Sequence, residues 1–282
     1  MGLVLFYTLC CLGCSAFNDL LFKFFARKER SRGLFVAAVG FFGVLLFAFL
    51  PDKTGVWQST LLWGIICGIF SAVGNILLIE SMGSLSAGVC STIYRLNLAL
   101  VVPLSVVIFG ETLQPAQYCG IALAIAAVLA FLPGSGGSSN GGSRKKYLPV
   151  IMIITACIFR AGLGIACKYG PMQGASLNGI NLIIEFIWLI SGIGYYLLKE
   201  RKVYRMDLKL TAYGAASGVL VAGIIFFMML ALKHGNASVV LPIAQMSFLL
   251  TFLLSMVFLK EKLTVLKAFA LICGVGAMLL LV

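Results

Sequence analysis

Residues 133–146 read PGSGGSSNGGSRKK and form the one low-complexity segment of the sequence. Glycine and serine at this density are typical of a linker between folded parts of a chain. Apolar runs of about 20 residues, the length that crosses a bilayer, recur on both sides of it. The segment therefore divides a membrane-type sequence into two halves.

The composition supports a membrane location for most of the chain. Of the 282 residues, 61% are hydrophobic and 11% are charged, whereas a soluble domain carries about 25% charged residues. The net charge is +12, but the basic residues cluster in short loops between the apolar runs. That distribution is the positive-inside pattern of a polytopic membrane protein and argues against a nucleic-acid partner.

Each half contains five apolar runs. The predicted spans are residues 3–25, 33–50, 57–79, 86–109 and 115–132, then 148–169, 176–198, 210–231, 237–259 and 264–282. The N-terminus lacks a basic n-region and a small-residue cleavage site, so we interpret it as the first span and not as a signal peptide. We predict an all-α integral membrane fold of ten helices, with repeats at 1–132 and 148–282 joined by a loop at 133–147.

The two halves resemble each other at a fixed offset of 150 positions, which places Gly64 on Gly214 and Glu111 on Glu261. Because five is odd, a second copy must cross the membrane in the opposite sense. The loops after spans one, five, seven and nine hold most of the basic residues: Arg27, Lys28, Arg30, Arg32, Arg144, Lys145, Lys146, Lys199, Arg201, Lys202, Arg205, Lys209, Lys260 and Lys262. This side is predicted to be cytoplasmic, which places both termini outside.

A Glu-x-Leu step follows the fourth span of each half, as Gly110-Glu111-Thr112-Leu113 and Lys260-Glu261-Lys262-Leu263. Two five-span repeats with this step resemble the drug/metabolite transporter superfamily, EamA type. One departure is Pro242 in the ninth span, which has no proline counterpart at Ser91-Thr92. The resemblance implies alternating-access transport around a cavity between the halves, and it leaves the substrate open.

The predicted spans four and nine carry polar residues at the same depth. Tyr94, Arg95 and Asn97 lie in the first, and Gln245 and Ser247 lie at matching positions of the second. A charge in the middle of a span costs roughly 3 kcal/mol or more, so such a residue faces a cavity or a partner. We predict that these residues form a substrate site in which Arg95 binds a carboxylate or phosphate.

Other ionisable residues inside spans offer alternatives. Arg160, in the middle of span six, would supply a second cation to an anionic substrate. Alternatively, Arg95 forms a structural bridge with Glu185 or Asp19, and Arg160 packs against Glu185. Glu185 and Asp19 are in addition candidates for proton coupling or gating.

Two asparagines complete the predicted site: Asn18 in span one and Asn75 in span three. Lys23, four residues after Asp19, is close enough to the cytoplasmic interface to extend its ammonium into it. No phosphate-binding loop, metal cluster or nucleophile with its base occurs in the sequence, so we expect no cofactor, no metal and no enzymatic activity.

The function predicted from these residues is secondary transport of a small polar, anionic metabolite, with protons as a further candidate partner. An exporter of amino acids or amphipathic cations on the same fold is the first alternative, and a membrane scaffold without transport is the second. We expect a monomer or homodimer in a bacterial inner membrane.

Overall fold

The computed structural model describes residues 2–26, 30–49, 55–110, 114–131, 143–200, 207–234, 240, 243–261 and 263–280, and among these it contains helices and no strand. The first half comprises α1 (Gly2–Ala26), α2 (Arg32–Ala48), α3 (Trp57–Ser84), α4 (Ala87–Arg95), α5 (Leu98–Phe109) and α6 (Pro115–Phe131). The second half comprises α7 (Ser143–Met172), α8 (Leu177–Tyr195, continued by a π-helical turn Tyr196–Glu200), α9 (Leu208–His234), α10 (Ser247–Leu259) and α11 (Val265–Leu280). The Glu111–Leu113 copy of the Glu-x-Leu step, Pro242 and most of the linker lie outside the described residues.

Helices occupy the positions of the predicted spans. Among the described residues, six helices are long and apolar enough to cross a membrane: α1, α3, α7, α8, α9 and the combined stretch Ala87–Ile108. Four further apolar helices are shorter, at Arg32–Ala48, Pro115–Ala127, Ile243–Leu259 and Val265–Leu280. Helices are expected here because lipid offers no hydrogen bonds and the backbone must satisfy its own polar groups.

Helices of the first half pack mainly against helices of the second half. The principal pairs are α2 with α8, α3 with α7, α1 with α9, and α6 with α11. Glycines permit the α2–α8 pair to approach backbone to backbone: a Cβ on Gly40 would lie 2.5 Å from the Leu189 nitrogen, and one on Gly33 would lie 2.6 Å from the Tyr196 nitrogen. The two halves therefore form one interlocked bundle.

The Glu261 copy of the Glu-x-Leu step has a structural role at a helix start. Its Oε1 accepts a hydrogen bond from the Ala87 backbone nitrogen at 3.1 Å, and Ser86 caps the same helix by accepting from Val89 at 3.4 Å. A carboxylate at this position satisfies a free amide and complements the helix dipole. A residue of the second half thus holds the start of α4 in the first half.

The two spans that carry Arg95 and Gln245 are interrupted at matching positions of the repeat. In the first, Leu96 donates to Ile93 O at 3.2 Å and Ala99 donates to Leu96 O at 3.0 Å. In the second, Met246 donates to Ile243 O at 3.2 Å and Leu249 donates to Met246 O at 2.9 Å. These are the same two i→i−3 bonds at the repeat offset, and such a tight turn inside a helix is typical of a functional hinge.

Candidate functional site

Each of the two interruptions carries buried polar side chains that lack a hydrogen-bond partner within the described part of the chain. Buried atoms without a hydrogen-bond partner among the described residues include Arg95 Nε, Asn97 Oδ1, Gln245 Oε1 and Ser247 Oγ. These four side chains occupy matching positions on the two spans, as the sequence predicts. A buried polar atom without a partner costs about 1–3 kcal/mol, so such a cluster is expected where a ligand or water binds.

Asp19 on α1 ties both interrupted spans together. Its Oδ2 lies 3.6 Å from Arg95 Nη2, and it accepts hydrogen bonds from Ser91 at 2.5 Å and from Thr251 at 3.3 Å. The Asp19 side chain is 5% exposed. Of the two bridges considered for Arg95, the one to Asp19 is therefore present, and Glu185 takes no part in it.

Arg160 on α7 contacts an aromatic ring and not a carboxylate. Its guanidinium carbon lies 5.7 Å from the centre of the Tyr94 ring, a distance at which a cation is attracted to the ring face. Within the described part of the chain Arg160 forms no ion pair with Glu185, so the alternative that paired these two side chains is wrong. Tyr94 connects α7 to the Arg95 region.

Glu185 lies apart from the arginines, at the contact of α8 with α2. Its carboxyl group rests against Gly43 of α2, it is 3% exposed, and its Oε2 has no hydrogen-bond partner among the described residues. A Cβ at position 43 would overlap this carboxyl group. The carboxyl group therefore occupies the space that the missing Cβ leaves.

The two asparagines predicted for the site have protein partners. Asn18 Oδ1 accepts from Ser217 Oγ at 2.7 Å, which joins α1 to α9. Asn75 Nδ2 donates to Ser71 O one turn earlier in its own helix at 2.9 Å. Their predicted contacts with a substrate stay predictions.

The structure adds Ser91 and Thr251, which the sequence analysis did not include. Both hydroxyls hold Asp19. Ser91 precedes Arg95 by four residues and Thr251 follows Ser247 by four, so each shares a helical face with a predicted site residue. This spacing is the signal by which both could have been found.

A second polar network lies at the predicted cytoplasmic ends of the helices. Glu80 of α3 binds Arg32 of α2, accepts from Tyr195 of α8 at 2.5 Å and lies 3.9 Å from Lys199 Nζ. Lys23 Nζ donates to the carbonyls of Met82 at 2.6 Å and Leu85 at 2.5 Å, so it caps the end of α3. These contacts tie the inner ends of four helices together.

Among the described residues, no cluster of three His, Cys, Asp or Glu side chains is placed to bind a metal. Long apolar helices, with buried polar side chains on two interrupted spans, are typical of an integral membrane protein with a solute pathway.

The chain belongs to the EamA-like transporter family, whose profile matches residues 2–132 and again residues 148–282. It is therefore a membrane transporter of the drug/metabolite transporter type. An uncharacterised protein of Methanocaldococcus jannaschii is 33% identical over 101 residues, which cover 36% of this chain and 68% of that protein. A protein of known crystal structure has the same fold, with a TM-score of 0.65 and 16% identity over 97% of this chain and 96% of that one.

Proposed function

We propose that the protein is a secondary transporter that moves a small polar metabolite bearing a carboxylate or phosphate. It would bind this metabolite between the interrupted spans and expose it alternately to the two sides of the membrane. The observation that carries the proposal is the set of four buried polar atoms, Arg95 Nε among them, that lie on matching positions of the two interruptions and have no hydrogen-bond partner among the described residues. Substrate sites of transporters lie at such interruptions near the bilayer midplane.

The proposal includes ten membrane crossings arranged as two inverted repeats. The helix pairing supports it. Exchanging each helix for its counterpart in the other half turns the α1–α9 pair into the α7–α3 pair and leaves the α2–α8 pair unchanged. All three pairs are present in the structure. Two inverted copies related by a two-fold axis in the membrane plane would give this pairing. Rocking of one half against the other about Asp19, Arg95 and Thr251 would then change access to the site.

The charges favour an anion. Arg95 makes a 3.6 Å contact with Asp19, and its Nε has no hydrogen-bond partner among the described residues. Arg160 lies against the ring of Tyr94, the neighbour of Arg95. Of these two guanidinium groups, only that of Arg95 is paired with a carboxylate in the described part of the chain. A planar guanidinium binds carboxylate or phosphate through paired hydrogen bonds, and Asn97, Gln245 and Ser247 would bind the remaining polar groups.

The substrate class is tested by measuring the thermal stability of the purified protein with panels of organic acids, phosphate esters, amino acids and quaternary amines. A ligand of the native state raises the unfolding temperature by mass action. Arg95→Gln should weaken binding of the identified anion roughly tenfold or more, since hydrogen bonds to a charged group contribute about 1.5–3 kcal/mol. Lys260→Gln, which removes an exposed basic residue far from the site, should bind it normally.

Reconstituted vesicles then test transport. Flux of the identified anion in wild type and its loss in Arg95→Gln would support the proposal. Unchanged flux in Arg95→Gln would overturn the anion site, and a protein that moves no solute from any panel would favour the scaffold alternative.

Export of amino acids is the second candidate, because Asp19 places a carboxylate beside Arg95. A cation and an anion side by side complement the two charges of a zwitterion. Asp19→Asn should then weaken amino-acid binding by removing the partner of the ammonium group. The same substitution should leave binding of a simple carboxylate or phosphate intact or improve it, which separates the two candidates.

A further inference from the structure

An apolar groove runs along the outside of the bundle between α1 and α9, away from the candidate substrate site. It measures about 640 Å³ and is lined by Phe17, Leu20, Leu21, Phe24, Tyr213, Ala215, Ala216, Val219 and Leu220. Phe17 is 50% exposed and Val219 61% exposed, so the groove opens toward the surroundings of the bundle. Small side chains at Ala215 and Ala216 on one wall leave room between the two helices.

The end of this groove at the predicted cytoplasmic side is basic. The Arg30 guanidinium carbon lies 4.8 Å from the centre of the Tyr213 ring and 5.7 Å from that of Phe25. Its Nη1 is buried and has no hydrogen-bond partner among the described residues. A guanidinium held against an aromatic ring, with a nitrogen that has no acceptor in the described part of the chain, is placed to bind an anionic oxygen.

A second basic residue lies on the same helical face as the groove. Lys209 is exposed at the start of α9, and it precedes Tyr213, Ala216 and Leu220 by four, seven and eleven residues. This spacing follows one face of an α-helix. Lys209 therefore extends from the end of the groove at which Arg30 lies.

We propose that this groove is a binding site for an anionic phospholipid of the inner leaflet. One acyl chain lies between α1 and α9, and the phosphate binds Arg30 and Lys209. An apolar channel that ends in two cations matches the two parts of such a lipid, and basic pockets between helices on the cytoplasmic side bind anionic headgroups. The bound lipid would hold the α1–α9 pair, which joins the two halves of the protein.

Native mass spectrometry of the full chain tests the site with phosphatidylglycerol and phosphatidylcholine of identical acyl chains. Wild type should retain phosphatidylglycerol in preference to phosphatidylcholine. Arg30→Gln and Lys209→Gln should each weaken phosphatidylglycerol binding roughly five-fold, which corresponds to about 1 kcal/mol for one basic residue near the membrane surface. Lys260→Gln removes one exposed charge at the same predicted side but outside the groove and should bind as wild type does.

A separate substitution, Ala216→Phe, tests the part of the site that binds the acyl chain. Ala216→Phe fills the groove from an exposed position and leaves both basic residues in place, so it should abolish lipid retention. In wild type, sn-glycerol 1-phosphate, which has the phosphate but no acyl chain, should fail to displace the lipid. Equal retention of the two lipids, an equal loss in Lys260→Gln, or full retention in Ala216→Phe would each overturn the proposal. Elution of every variant as a monodisperse peak in size-exclusion chromatography shows that the comparison concerns folded protein.

Discussion

Asp19 and Arg95 form the buried ion pair of the candidate site, but the two partners depend on it unequally. Asp19 also accepts hydrogen bonds from Ser91 and Thr251, whereas Arg95 has an unsatisfied Nε. Removal of the arginine therefore leaves the carboxylate with two donors. Removal of the carboxylate leaves a guanidinium deep in the protein without its counter-ion.

We predict that Asp19→Asn destabilises the protein more than Arg95→Gln does. Loss of one partner of a buried pair costs about 3 kcal/mol, and the hydroxyl donors reduce that cost for Arg95→Gln. Unfolding of both variants and of the double variant in mixed micelles measures the difference. The double variant should be more stable than the sum of the single effects predicts; additive effects would show that the two side chains do not interact.

Glu185 is a buried carboxyl group outside the ion pair, and with Asp19 it stays a candidate for proton coupling. If Glu185 carries the proton, Glu185→Gln should still bind substrate, but its flux should no longer respond to a pH gradient across the vesicle membrane. The substitution preserves shape in a position where the carboxyl group fills the space beside Gly43. Glu261→Gln is the matched control. It makes the same substitution at a carboxylate that caps α4, so the flux of this variant should still respond to the pH gradient. A gradient response that survives Glu185→Gln would exclude Glu185 as the carrier.

Helix pairs set which parts of the protein move together. The α2–α8 pair touches backbone to backbone through Gly33, Gly40 and Gly192, and such contact leaves no room for sliding. By contrast, the interrupted spans have i→i−3 bonds at Leu96 and Met246. We therefore expect bending at the interruptions and a rigid α2–α8 pair.

Two glycines of α8 allow a controlled test of that contact. A Cβ on Gly192 would overlap backbone atoms of Ala37 and Gly33, whereas a Cβ on Gly194 has nothing within 4 Å. Gly192→Ala should lower the free energy of unfolding by about 1–3 kcal/mol, as overpacking does. Gly194→Ala should be neutral or should stabilise the helix by up to about 1 kcal/mol. Equal unfolding temperatures for the two variants would contradict the packing.

The contact between α3 and α7 can be tested with Cys67 and Cys167, whose sulfur atoms lie 3.7 Å apart. A copper–phenanthroline oxidant should remove two protons and two electrons from the thiols and join them as a disulfide. With a protease site inserted in the segment 133–142, ahead of α7, the two fragments should stay together on a non-reducing gel. Cys67→Ser should release them, and fragments that separate in wild type after oxidation would contradict the α3–α7 contact.

The whole molecule has two ends, and loops predicted to share a side of the membrane are in contact. At the predicted inner end, Ser31 donates to Glu200 at 2.6 Å and Glu261 accepts from Ala87 at 3.1 Å. At the predicted outer end, Val56 donates to Gly174 O at 2.8 Å. The alternation of the spans is consistent with these contacts, and the direction of insertion rests on the basic loops.

Reporter fusions check that direction. Alkaline phosphatase, which is active only outside, should be active at the C-terminus and inactive when inserted in the segment 133–142, ahead of α7. A fluorescent protein that folds only inside should give the reverse result. Neutralising Arg27, Lys28 and Arg30 together should produce molecules of mixed orientation, because the basic loops set the topology. A fluorescent C-terminal fusion would place the termini in the cytoplasm.

Hydropathy sufficed to predict where the helices lie, and the repeat offset sufficed to predict the matching polar positions on the two interrupted spans. Both are local properties: a segment in lipid must satisfy its own backbone, so a long apolar run becomes a helix whatever surrounds it. The partner of Arg95 is not local. Asp19 and Glu185 were equivalent candidates along the chain, and helix packing brings only Asp19, with Ser91 and Thr251, to the guanidinium. The separation of Glu185 from Arg160, and the groove that ends at Arg30, likewise depend on which helix faces meet.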